Sequence, residues 1–179
     1  MKKSLLAGIL LAGSFLLFNN DASAAEANTS SVQPPESMEN VIYFNSDTQD
    51  ILITDDFIIT TVNESDSSLP VRPLLNGKWD PLGSETVFSK SSVYYSDGGS
   101  FMVDVSQTDY GPVFYQLKEY DETNADDSVG SPISVSGKKS INLTYRDLSR
   151  YCDGDNGKAE FYMEKLTHTS SGYLMAFYD

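Results

Sequence analysis

The sequence predicts an all-β chain, an antiparallel β-sandwich of about nine or ten short strands, with a closed β-barrel as the alternative. Three observations predict it. Apolar residues fall in short runs of β-branched and aromatic side chains, broken by clusters of Asp, Asn, Ser and Gly. Some runs alternate, as Phe101, Val103 and Val105 do against Met102 and Asp104, which marks a strand buried on one face. No segment sustains a 3.6-residue period.

In chain order, the first element is a targeting signal. Lys2 and Lys3 precede an uncharged, mostly apolar run from Leu5 to Phe18, and Ala22-Ser23-Ala24 supplies the small residues of a cleavage site. The run is short for a membrane span. Residues 1–25 are therefore expected to be a signal peptide, cleaved after Ala24 or Ala25, and the protein to be secreted and extracellular. The short basic start and the small-residue site suit a bacterial, Gram-positive export route. Ser14 stands where a lipoprotein would carry its cysteine, and no second apolar segment of spanning length follows. Residues 26–40, with Ser30, Ser31, Pro34 and Pro35, read as a disordered linker. Residues 41–179 are then expected to form one β-sandwich domain.

Val41–Phe44, Ile51–Thr54 and Phe57–Val62 are the first strand-like runs. Leu69–Ser84 is a long connection whose Pro70, Pro73, Gly77, Pro81 and Gly83 argue against a central strand. Val87–Tyr95 leads through Asp97-Gly98-Gly99 into Phe101–Val105, which reads as a hairpin. Val113–Tyr120 follows the Tyr110-Gly111-Pro112 turn, with Val113, Tyr115 and Leu117 on one face. Asp121–Ser131 is an acidic loop. Ile133–Val135 and Ser140–Tyr145 flank Gly137-Lys138-Lys139, a second expected hairpin. A single helical turn is expected near Arg146–Tyr151. Phe161, Met163 and Lys165 share one face of the next strand, and Tyr173–Tyr178 is the last. This architecture resembles the accessory β-sandwich modules of secreted bacterial enzymes, with no motif specific to a family.

Composition narrows the function. Twelve Lys and Arg stand against 26 Asp and Glu, for a formal net charge of −14. That charge argues against a nucleic-acid-binding face. One Cys and one His leave no intramolecular disulfide and too few ligands for a Cys/His zinc site. Cys152 and His168 make a poor nucleophile–base pair, because neither sits in a signature of that chemistry. Acidic residues are too plentiful for one hydrolytic carboxylate pair to stand out, so a carboxylate hydrolase is the third reading.

Two resources remain. Cys152-Asp153-Gly154-Asp155-Asn156-Gly157 is a Gly-rich acidic loop, in which Asp153 and Asp155 are candidate oxygen ligands for calcium, although no cofactor is expected. Glu164 completes an EF-hand spacing, but Lys158 occupies the obligatory Gly position, so a hairpin turn, with Asn156-Gly157 supplying the positive φ angles, is the simpler reading. Asp121, Glu122, Asp126 and Asp127 form a second acidic loop. Aromatic side chains are the other resource, since flat rings stack on sugars as well as in cores. Trp79 and the adjacent Asp80 lie in a Pro/Gly-rich loop, and Tyr94 and Tyr95 are neighbours; these four are the expected ligand-binding residues. The leading expectation is a non-catalytic module that binds carbohydrate or a cell-surface or matrix polymer. The alternative is an extracellular protein-interaction module.

Overall fold

The computed structural model describes residues 38, 40–62, 79–154 and 156–179. These fall in one compact unit, Ser31–Asp179. The signal peptide and most of the linker expected over 1–40 lie outside the described residues, as do Pro70, Pro73 and Gly77 of the long connection.

Eleven strands are described: β1 Ile42–Asn45, β2 Ile51–Ile53, β3 Phe57–Val62, β4 Pro81–Val87, β5 Tyr94–Ser96, β6 Phe101–Ser106, β7 Val113–Glu119, β8 Asp127–Ser136, β9 Ser140–Tyr145, β10 Ala159–Lys165 and β11 Tyr173–Tyr178. They form two packed sheets, ordered β1-β8-β7-β10-β5 and β2-β3-β9-β6-β11-β4. The chain is thus an all-β sandwich, and the sheets do not close into a barrel. All pairings are antiparallel except β1 with β8. The helical turn is a single 3-10 turn, Leu148–Tyr151.

The alternation written into the strands sets the core. Phe101, Val103, Val105, Ile141, Leu143 and Tyr145 are fully buried between the sheets, facing Tyr115, Leu117, Phe161 and Met163. Phe101 and Phe161 meet across the sandwich with ring centroids 5.1 Å apart. Each such side chain contributes about 1.5–3 kcal/mol on burial. Lys165 follows the same alternation inward. Its ammonium donates to the carbonyl oxygens of Thr169 (3.2 Å) and Ser171 (2.6 Å) and to the Thr169 hydroxyl (3.0 Å), because a buried cation must be hydrogen-bonded.

The expected hairpins are corrected. β5 and β6 lie in different sheets, as do β8 and β9, so the Asp97-Gly98-Gly99 and Gly137-Lys138-Lys139 turns cross the sandwich. Gly98, Gly99 and Gly137 do take positive φ there, the conformation glycine permits. Gly157 takes positive φ, as expected, and its N–H donates to Gly154 O at 2.8 Å, but β9 and β10 are not paired, so the expected Asn156-Gly157 hairpin does not form. Pro81 and Gly83 open β4, an edge strand, where an absent N–H costs no ladder bond.

A bulge between Tyr115 and Leu117 distorts the β7–β8 ladder. Buried Gln116 repairs it, donating from Nε2 to the carbonyls of Leu117 (2.9 Å), Val129 (3.1 Å) and Gly130 (3.3 Å).

Candidate acidic cleft

Three neighbouring strands, β7, β10 and β5, place the two acidic loops side by side. The 120–126 loop leaves the end of β7, and the 152–158 loop enters β10. Tyr120 N–H donates to Glu160 O at 2.7 Å and ties one loop to the start of β10. Between them lies an open cleft of about 670 Å³, floored and walled by Glu119, Asp121, Glu122, Asp153 and Glu160 and bordered by Tyr95 and Tyr120. Tyr95 is 53 % exposed and Tyr120 40 %.

The cleft walls are held from behind. The Tyr162 hydroxyl donates to Asp126 Oδ2 at 2.6 Å, and Asp126 Oδ1 accepts the Asp121 N–H at 3.3 Å. The bond from Tyr162 holds the Asp126 carboxyl below the usual carboxylate range. On the facing side, Asn156 Nδ2 donates to Glu160 Oε1 at 3.1 Å and the Lys158 N–H to Asn156 Oδ1 at 2.8 Å. Lys158 itself is anchored outside by Asp97 at 2.6 Å.

Glu119 is the unusual member. It is only 2 % exposed, one alternation step beyond Leu117 on the core-facing side of β7. Burial, and then the negative charge of Asp153, push its carboxyl up to about 7 from an ordinary 4.5, against the pull of a backbone hydrogen bond from Glu160. At neutral pH this carboxyl can therefore either accept or donate a hydrogen bond.

The residues expected to bind ligand are divided by the fold. Tyr95 reaches the cleft. Tyr94 points to the other side of β5, stacks on Phe177 with centroids 4.2 Å apart and donates to Glu85 Oε1 at 3.0 Å. Burial and that carboxylate push its hydroxyl up to about 12. Asp80 is exposed, and its backbone pairs with Asp179 at both 2.8 and 3.0 Å, at the start of β4. Trp79 is half-buried beside it. Of the calcium candidates, Asp153 lines the cleft, Asp155 lies outside the described residues, and Glu164 sits farther along β10. Among the described residues no group of three or more Asp, Glu, His or Cys side chains is arranged to hold a metal ion. Cys152 precedes β10 and His168 follows it, so a strand length of roughly 20 Å separates them.

Glu119, Tyr120, Asn124 and Glu160 were not singled out from the sequence. For Glu119 a signal existed: the alternation of Val113, Tyr115 and Leu117 continues inward onto an acid.

Among the described residues no helix is long and apolar enough to cross a membrane. No solved structure matches the chain. The chain is similar to the protein named "Uncharacterized protein YndA" from Bacillus subtilis (strain 168), 35 % identical over 104 residues that cover 58 % of this chain and 75 % of that protein. Residues 81–177 match a family described as the YndA coiled coil domain. That span runs from β4 into β11 and contains every residue lining the cleft. Despite the words of the description, its described residues contain strands and one 3-10 turn and no α-helix. On both matches, this chain belongs to the YndA coiled coil domain family.

Proposed function

We propose that this protein is a secreted, non-catalytic binding module whose ligand is a carbohydrate or another hydroxyl-rich polymer of the cell surface or matrix. The observation that carries the reading is the cleft itself: two exposed tyrosine rings border an open space lined by carboxylate, amide and hydroxyl side chains. Rings offer flat apolar faces to the C–H faces of a sugar, and Asp121, Glu122, Asn124, Asn156 and Glu160 offer acceptors and donors to its hydroxyls. The site sits on loops supported by a rigid sheet, where binding residues concentrate. The apolar run and small-residue site of residues 1–25 support export. The chain's negative charge favours neutral or cationic polymers over anionic ones.

The test is a glycan array followed by titration of the best ligand. Tyr95→Ala and Tyr120→Ala should each weaken binding at least tenfold, with unchanged melting temperatures. A protein that binds no glycan, or one whose binding survives both substitutions, overturns the reading. Release of new reducing ends from the bound glycan would instead support the hydrolase reading.

A further inference from the structure

Far from the cleft, β2 ends the six-stranded sheet and pairs only with β3 among the described residues. The Thr54 N–H donates to Phe57 O and the Thr61 N–H to Asp50 O, both at 2.9 Å. The backbone groups of Asp50, Leu52 and Thr54 therefore face β3, and by strand alternation those of Ile51 and Ile53 face outward. Ile51 is 55 % exposed and Ile53 63 %. They share the outer face of the sheet, next to half-buried Ile58, which is opposite Ile53 in the ladder.

Natural sheet edges are usually blunted by shortness, Lys, Pro or a bulge. β2 is short, three residues, but carries no Lys, Pro or bulge. It is bracketed instead by exposed acids, Asp47 and Asp50 before it and Asp55 and Asp56 after it. The opposite edge of the same sheet differs: the Glu85 side chain of β4 is engaged by the Ser92 N–H at 2.7 Å and by Tyr94. Arg150, Lys139 and Arg146 lie near the β2 brackets, Arg150 interacting with the charge of Asp56. Lys139 reaches Asp50 only at 3.9 Å. Arg146 spends its guanidinium on the carbonyl oxygens of Thr54 and Asp55 rather than on a carboxylate. Four exposed acids thus flank an apolar centre, and the cations at each end offset their negative charge only in part.

We propose that β2 is a docking edge for an extended strand of another protein, one with β-branched residues at its centre and lysine or arginine at both ends. The occupant follows from charge complementarity. A second copy of this chain would bring the same acids against these, whereas a basic-ended strand neutralises both brackets. The strand would add to the sheet through the outward backbone groups of Ile51 and Ile53 and cover their side chains, the mode of β-augmentation. It uses no residue of the cleft.

The experiment titrates the full chain with a synthetic peptide of alternating valine and threonine that carries a lysine at each end, and with its twin carrying glutamate. Amide exchange is read by NMR. The lysine peptide should bind, slow exchange at Ile51 and Ile53, and lose affinity as salt rises, while the glutamate twin binds at least tenfold more weakly. Ile51→Lys with Ile53→Lys should abolish binding; both side chains are exposed, so folding is preserved. Asp50→Asn with Asp55→Asn should erase the preference between the peptides without moving the melting temperature. Equal affinity for both peptides, no binding of either, protection at another edge, or Ile51 and Ile53 amides already protected without peptide would each overturn the proposal. So would a dimer that forms through this edge.

Discussion

The Lys90 ammonium lies 3.6 Å from the centroid of the Tyr162 ring. The same lysine is 3.8 Å from Asp126, which accepts the Tyr162 hydroxyl. One cation, one ring and one carboxylate thus fasten the 120–126 loop to the outer face of β10, and this loop is one wall of the cleft.

Tyr162→Phe keeps the ring under Lys90 and removes only the bond to Asp126. It should cost about 1–2 kcal/mol of stability and loosen the wall, which amide exchange at residues 121–126 would report. The bond holds the Asp126 carboxyl low, so its stabilisation is present above the unfolded pKa and lost as pH falls through the lower folded value. The variant should therefore be less sensitive than the parent to acidification below pH 4. An unchanged acid limb would rule this linkage out.

Glu119 has the opposite sign. Its folded carboxyl, near 7 rather than 4.5, holds a proton that the unfolded chain has already lost. Between these values stability must fall as pH rises. Its contribution is best below the unfolded value and fully lost above about 7. Glu119→Gln keeps the shape without the charge. Melting curves from pH 5 to pH 8 should show a flatter slope for the variant and a higher melting temperature at pH 8. Parallel curves would show that Glu119 ionises like an exposed acid.

Gln107 is buried at the junction of three chain crossings. Its Nε2 lies within 3.1–3.3 Å of the carbonyl oxygens of Asp109, Gly111, Val135 and Gly137, and its Oε1 accepts the Tyr115 hydroxyl at 3.3 Å. Gln107→Leu strands these groups without water and should cost on the order of 3 kcal/mol. Urea unfolding would measure it, and a loss below 1 kcal/mol would mean that the loops find other donors.

Tyr145 presents the reverse case. Its hydroxyl is buried with no hydrogen-bond partner, while its ring packs on Phe57 with centroids 5.6 Å apart. Burial pushes the hydroxyl's pKa up, keeping it neutral. Tyr145→Phe retains the ring and should leave stability unchanged or raise it by up to about 1 kcal/mol. Clear destabilisation in the same urea assay would reveal a partner for that oxygen.

Much of the fold was legible because alternation is local. Phe101, Val103 and Val105, then Ile141, Leu143 and Tyr145, and even Phe161, Met163 and Lys165, face inward as their spacing demands. The hairpin assignments failed at Asp97-Gly98-Gly99 and Gly137-Lys138-Lys139 for a definite reason. A glycine turn reverses the chain equally well within one sheet or between two, and its local sequence is the same in both cases. For the binding residues, Tyr94 and Tyr95 looked equivalent until pairing put one against Phe177 and the other beside Glu160.

By itself, then, the sequence determined an acidic all-β chain, the inward face of most strands, and two acidic loops about thirty residues apart. The tertiary structure alone decided that β7 and β10 are neighbours, which brings those loops together, sinks Glu119 beneath them and leaves Tyr95 and Tyr120 at the rim. It also decided that β2 is an edge. Side-chain alternation acts over two residues and can be read along the chain. Strand order follows from which sheet surfaces bury one another, and no single segment carries that information.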